Sequence, residues 1–284
     1  MKIEEIKQVV KERYGKCAET GGGKESCCCP SEATSTSSFA AEHGLYAQEE
    51  LSLIPEIALN LSKGCGNPTG FANLQPGEVV VDFGCGAGID VILAAHKVGP
   101  SGKVVGVDFA PQMIERAKQA VAEAGLTDVV KLVVAHMEQL NLPDGFADVV
   151  ISNCVINLCP DKEAVYRETF RILKPGGRLA ISDIVYTERI DPQVQDRFQS
   201  TWAGCVGGAI VEASYFEIIR ETGFRQVEVV ARHPLPSKEL EAMACCPGPA
   251  FTPAPVKEDL VVVQGKVTSI KFTAVKPSLK QGMG

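Results

Sequence analysis

The sequence has 284 residues and no apolar run near the ~20 residues that a membrane-spanning helix requires. It contains no C-x-x-C pair, and its four histidines are not spaced with cysteines as zinc ligands would be. Positive charge is not in excess either: 28 Lys and Arg against 35 Asp and Glu leave a net charge of −7. These absences argue, in turn, against a helical membrane protein, a sequence-local zinc finger and a general nucleic-acid binder, which would need a basic field. The stretch MKIEEIKQVVKERYG (1–15) is too charged for a secretory leader. The expectation is a soluble, cytoplasmic protein without membrane or nucleic-acid partners.

What is present is a composition fit to build a core, 45% hydrophobic and 22% charged, which excludes disorder of the whole chain. The length fits one large domain, or one domain with a small attachment. Cysteine is abundant, at 17, 27, 28, 29, 65, 85, 154, 159, 205, 245 and 246. In such a compartment these read as thiols, metal ligands or redox groups rather than a disulfide framework. For any one of them alone, a small buried hydrophobe is the default.

Apolar positions Ile3, Ile6, Val9, Val10 and Tyr14 predict an amphipathic helix over 2–14, and the Gly/Ser/Thr-rich residues 15–38 predict a mobile segment. A helix is expected around 48–62, with a break or start at Pro55. From Glu78 strands and helices alternate. Strands are expected at 79–83, 103–109, 129–135, 147–152 and 178–185, with helices at 90–98, 111–124 and 161–173 between them. KPGG (174–177) reads as a turn, residues 190–222 as mostly helical, and 225–231 as a further strand. The tail 259–276 alternates like a strand pair turning at Gln264–Gly265. Alternation of this kind implies an α/β fold with a doubly wound, mostly parallel sheet. It divides the chain into an N-terminal part (1–75), a central domain (76–232, with an insert near 190–222) and a small α+β C-terminal attachment (233–284).

The sharpest local signal is VVVDFGCGAGID (79–90): a buried strand, Gly84, Gly86 and Gly88, then a helix. Glycines let a ligand approach the turn and the helix N-terminus. The next strand ends in Asp108, where an acid would grip ribose hydroxyls. Ile89 stands where a nicotinamide fingerprint would have its third glycine. The D-x-G-x-G-x-G run, the acid closing the second strand and KPGG instead resemble the class I S-adenosylmethionine methyltransferases across residues 78–231. That resemblance implies S-adenosylmethionine as cofactor. Asp82, Gly84, Cys85 and Gly86 would line its methionine moiety and Asp108 would bind the ribose. Phe109 and Met113 would flank the adenine, His136 and Met137 would cover its edge, and Asn153 would lie beneath it. Many family members carry an acid where His136 stands.

Fold alone does not name a substrate. Three cysteines have distinctive settings: Cys65 in KGCGNP, Cys154 in ISNCVINL directly after the fourth strand, and Cys205 in WAGCVGGA. Ligands gather at the carboxyl ends of parallel strands, where Cys154 must lie. Three thiols beside a methyl donor suit a soft, three-coordinate substrate, and trivalent arsenic fits. GCGNP, DFGCGAGIDV, ISNCVINL, DKEAVYRETFRILKPGGRL and GCVGGA are similar to segments of the arsenite S-adenosylmethionine methyltransferases. The resemblance implies that Cys65, Cys154 and Cys205 ligate arsenic delivered as a thiol conjugate. One of Cys27, Cys28 and Cys29 would supply a further essential thiol, and thioredoxin or glutathione would act as reductant. Depressed thiol pKa values at the site would help. A small-molecule carbon or oxygen methyltransferase and a non-enzymatic metalloid chaperone are the competing readings.

Overall fold

The computed structural model describes residues 3–21, 45–62, 64–198, 202, 205–237, 239–240 and 256–278. Its framework is a seven-stranded sheet in the order β3-β2-β1-β4-β5-β7-β6. The strands are β1 (Val79–Phe83), β2 (Lys103–Asp108), β3 (Val130–Val134), β4 (Ala147–Asn153), β5 (Leu173–Tyr186), β6 (Arg225–Pro234) and β7 (Val267–Val275). β1 pairs in parallel with β2 on one side and β4 on the other, and β2 with β3 and β4 with β5 are parallel too. β7 runs antiparallel between β5 and β6.

The inner strands are Val/Ile-rich because helices cover both faces of the sheet. Alternate residues of β1 show this directly: Val80 packs into one hydrophobic cluster, Val81 and Phe83 into the other. On the Val80 face lie α2 (Ile89–Val98) and α3 (Pro111–Glu123), and α1 (Ile3–Glu19) bridges the two clusters, with Cys17 and Ala18 in this one and Ile6 and Val10 in the other. On the opposite face lie α4 (Lys162–Ile172), α5 (Pro192–Phe198) and α6 (Glu212–Thr222), with α7 (Lys257–Val263) near the end of the chain. α4 starts where the Asp161 side chain accepts the Ala164 N–H at 2.8 Å. A buried hydroxyl relay, Tyr166 to Tyr215 to Asp183, pins α4 and α6 to β5 at 2.9 Å per step.

The sequence expectations differ from the structure in four places. α1 continues to Glu19, because Cys17 and Ala18 are buried and Arg116 donates to the Ala18 carbonyl at 2.8 Å, holding the last turn against α3. Most of the segment expected to be mobile (15–38), with Cys27, Cys28 and Cys29, lies outside the described residues. In place of one helix over 48–62 there are single turns at Gln48–Leu51 and Glu56–Leu59, divided by Pro55, which has no N–H to continue a helix. KPGG lies within β5, and Gly176 supplies the positive φ of +82° there.

The fourth difference is larger. Residues 257–263 are helical, begun by the Asp259 carboxylate accepting the Val256 N–H at 2.9 Å and anchored by Arg197. Only 267–275 is a strand, and it is inserted into the main sheet rather than forming a separate attachment. Phe272 on that strand is fully buried and packs edge-on to Tyr215 and Phe216. Phe272→Ala is expected to cost about 3–5 kcal/mol in denaturant-unfolding experiments. A loss below about 1 kcal/mol would show that the strand is peripheral.

Candidate functional site

In an open parallel sheet, ligands bind where the strand order reverses, outside the carboxyl ends of the strands. Here that point lies between β1 and β4, and a cleft opens there. The turn after β1 forms one wall. Gly84, Gly86 and Gly88 have φ of +70°, +52° and +99°, a region that favours glycine. A Cβ on Gly84 would strike Val155, whereas one on Gly86 would enter open space. Gly86 therefore leaves room for a ligand, and its N–H is spent on Asp108 Oδ2 at 3.0 Å.

The cleft is strongly acidic beneath its lining. Asp82, Asp90 and Asp108 are all buried. Burial pushes Asp108 up to about 6, opposed by the Ala110 and Gly86 N–H groups that its carboxylate accepts. Burial pushes Asp90 to about 6 as well, opposed by Asn153 and Tyr46. Asp82 is raised by burial and then by Asp90 and Asp108, and its Oδ2 has no partner among the described residues. An orphaned carboxylate oxygen, an open glycine and an apolar wall of Ile89, Met113 and Val155 suit a cation carrying a nucleoside. S-adenosylmethionine is such a molecule, and the residues fit it.

Of the residues assigned from sequence to the cofactor, Gly84, Cys85, Gly86, Asp108, Phe109, Met113 and Asn153 line this cleft. Asp82 lies behind it. His136 and Met137 line a smaller neighbouring pocket that shares Phe109 and Leu158, with the His136 and Phe109 rings 5.8 Å apart. Tyr14, Tyr46 and Asp90 also line the cleft and were not assigned from sequence. Asp90 had a signal, closing the glycine run in the first turn of α2. Tyr46 had none, since it lies on an irregular segment without periodicity.

The three singled-out thiols converge beside the same cleft. Cys154, itself a lining residue, has its thiol within hydrogen-bonding reach of both Cys205 and Cys65. The Cys205 thiol also donates to the Cys154 carbonyl at 3.1 Å. Cys154 is reached directly after β4, its N–H donating to the Ser182 carbonyl at 2.7 Å. Cys65 projects from the GCGNP loop, which ends when the Asn67 side chain accepts the Gly70 N–H and Pro68 starts a helical turn. Cys205 precedes a tight turn at Val206–Gly208, where a Cβ on Gly208 would overlap the Asn157 carbonyl. The Lys162 ammonium donates to that Gly208 carbonyl at 2.7 Å.

Hydrogen bonds to Cys205 and Cys65, then burial, push the Cys154 thiol well above the ordinary range. The expectation of depressed thiol pKa values is corrected on that point, because neighbouring sulfurs and desolvation both disfavour a thiolate. All three are free thiols. Among the described residues no group of three or more His, Cys, Asp or Glu side chains is arranged to hold a metal ion. Cys159 is buried beside Glu138, away from the trio, and is pushed up to about 12 by burial and that carboxylate. Cys17 is disulfide-bonded, whereas Cys65, Cys85, Cys154, Cys159 and Cys205 are free thiols.

A doubly wound sheet with this strand order, a glycine turn after β1 and an acid closing β2 defines a class I methyltransferase. Residues 74–231 match the family described as methyltransferase domain, and the chain belongs to it. It is 39% identical over 241 residues to an arsenite methyltransferase of Halobacterium salinarum, covering 81% of this chain and 60% of that protein. It is 33% identical over 239 residues to an arsenite methyltransferase of Aquipseudomonas alcaligenes, covering 80% and 64%. The chain thus spans about 60% of the length of these two relatives. Among solved structures it is similar to an arsenic(III) S-adenosylmethionine methyltransferase from Chlamydomonas reinhardtii. The TM-score is 0.61 at 25% identity, covering 83% of this chain and 72% of that one.

Cys154 and Cys205 have φ of +59° and +71°, a region that costs a residue with a side chain about 1–2 kcal/mol. Glycine is therefore expected to be more stable than alanine at either position by about 1 kcal/mol, read as a higher Tm. Alanine equal to or above glycine at both positions would contradict the backbone geometry.

Proposed function

We propose that the protein transfers methyl groups from S-adenosylmethionine to trivalent arsenic held by Cys65, Cys154 and Cys205. The observation that carries this reading is the meeting of those three thiols beside the acidic cleft. The relatives named arsenite methyltransferases support it. A carbon-centred chemistry gives no reason for three thiols gathered beside a methyl-donor cleft.

The raised Cys154 pKa agrees with the acceptor's chemistry. Arsenite is a neutral trihydroxide at neutral pH. Condensation with three thiols releases three waters and leaves a neutral tris-thiolate, so no net charge is buried. Delivery as a thiol conjugate is equally neutral, because each incoming thiolate's proton leaves on the displaced thiol.

Asp82, Asp90 and Asp108 would hold the cationic and ribose portions of the donor, with Met113 and Phe109 against the base. Bound there, S-adenosylmethionine supplies an electrophilic methyl group that the arsenic lone pair can accept without loss of a proton. No general base is then needed, and what the chain contributes is orientation, worth about 7–11 kcal/mol for well-held reactants. Methyl transfer leaves arsenic formally pentavalent. Two thiols becoming one disulfide supply the two electrons that restore the trivalent state. An N-terminal cysteine (27, 28 or 29) with Cys65 or Cys154 is the proposed pair, and thioredoxin or glutathione the reductant that reopens it. The setting is arsenic detoxification in the cytoplasm.

Protein incubated with S-adenosylmethionine, arsenite and a thiol reductant is expected to give methylated arsenic by mass-detected chromatography. Cys154→Ser should abolish the product. Donor binding without methylated arsenic would overturn the substrate. The site carboxylates add a pH dependence. With Asp90 and Asp108 at about 6, both are ionised at pH 8 and lose charge as pH falls through 6. S-adenosylmethionine affinity by calorimetry is expected to be flat from pH 8 to 7 and to fall about tenfold per unit or more below pH 6. Affinity unchanged down to pH 5 would contradict a carboxylate-held donor.

A further inference from the structure

Asn153 lines the cleft, yet its amide has no bonding capacity to spare. Oδ1 accepts from the Cys65 N–H at 3.0 Å and the Gly66 N–H at 3.1 Å, which uses both lone pairs. Nδ2 has two hydrogens and faces three acceptors: the Gly66 carbonyl at 2.8 Å, Asp90 Oδ2 at 2.9 Å and the Tyr46 hydroxyl at 3.0 Å. A ligand entering the cleft meets a group that is already saturated.

Three of those five contacts fall on the backbone of Cys65 and Gly66, two of them on the peptide groups that flank the Cys65 side chain. From the other side, Ser269 Oγ donates to the Cys65 carbonyl at 3.0 Å. The loop's glycines make the approach possible. A Cβ at Gly64 would overlap the Asn153 amide, and one at Gly66 would overlap the Ser182 hydroxyl. The amide is thus the near jaw of a clamp on the Cys65 loop. Its backbone is continuous with Cys154, the residue to which the Cys65 thiol reaches. The remaining two contacts tie the clamp to Asp90 on α2 and to Tyr46.

We infer that Asn153 is a positioning residue that sets the Cys65 thiol against Cys154, and does not bind the methyl donor as its place in the cleft implies. The inference rests on the reading of the three thiols as the arsenic site. Removing the amide frees the Cys65 loop and leaves the glycine turn and Asp108 untouched, and it takes from Asp90 one of the donors that favour its charge, an effect that vanishes well above pH 7. A variant should therefore lose arsenite affinity selectively.

The test compares wild type, Asn153→Ala, Asn153→Ser and Cys65→Ser. Arsenite binding is read from the fluorescence of Trp202, the one tryptophan in the sequence, whose carbonyl accepts the Cys205 N–H at 3.0 Å. S-adenosylhomocysteine binding is read by calorimetry at pH 8.5, where Asp90 stays ionised without the Asn153 hydrogen bond. Asn153→Ala is expected to weaken arsenite binding about tenfold or more, with a matching rise in arsenite KM, while S-adenosylhomocysteine affinity stays within about threefold. Retained S-adenosylhomocysteine binding also shows that the variant is folded, and Asn153→Ser carries the same test if alanine is not tolerated. Parallel loss of both affinities, or loss of S-adenosylhomocysteine binding alone, would overturn the inference, as would arsenite affinity equal to wild type. In the last case Cys65→Ser still weakens arsenite binding and the three-thiol site survives. If wild type shows no arsenite binding, or Cys65→Ser matches it, the site itself is lost and the inference with it.

Discussion

The Cys154 thiol, within hydrogen-bonding reach of Cys65 on one side and Cys205 on the other, joins three stretches of chain that are far apart in sequence. Each stretch is shaped to allow that meeting. Cys154 turns into a left-handed backbone conformation directly after β4, and Cys205 adopts one ahead of a glycine-bound turn. The Cys65 loop is narrowed by flanking glycines until its peptides rest on Asn153 and Ser269. Strained residues persist where surrounding structure over-determines them. Here the surroundings are the β4 edge, the Lys162 ammonium and the Cys65 loop itself.

The two halves of the site have opposite electrostatic characters. On one side the buried Asp90 and Asp108 carboxylates are kept ionised at neutral pH by N–H, amide and hydroxyl donors, which suits a cation. The other is a group of three free thiols, with Cys154 held neutral by its two neighbours and by burial, which suits an uncharged, thiophilic acceptor. Only the step from Asn153 to Cys154 separates them. Burial disfavours charge on both sides, and only Asp90 and Asp108 are given enough donors to keep it.

The parallel sheet, its alternation with helices and the glycine turn were legible in the sequence because each is local: a run of Val and Ile, a glycine triplet, an acid at a strand end. Cys154 was placed by topology, since a residue after a parallel strand must face the ligand side. Cys65 and Cys205 stood out by their glycine-flanked settings and by resemblance. What was not legible depends on distant partners. The last strand could not be seen entering the main sheet, because its alternation serves an internal strand as well as a separate hairpin. The helix at 257–263 is a run of Val that reads as strand until Asp259 caps it and Arg197 anchors it. Tyr46, Asp90 and the clamp by Asn153 join segments from three parts of the chain, and no spacing rule links them. The raised Cys154 pKa was hidden for the same reason, since it is set by the other two sulfurs.

The central claim is that arsenic is held by three sulfurs beside the donor cleft. X-ray absorption at the arsenic edge, on protein loaded with one equivalent of arsenite, tests it most directly. Three sulfur neighbours and no oxygen neighbour are expected for wild type, with one sulfur replaced by oxygen in Cys205→Ser. Two or fewer sulfurs in wild type, or a shell unchanged by Cys205→Ser, would contradict the account.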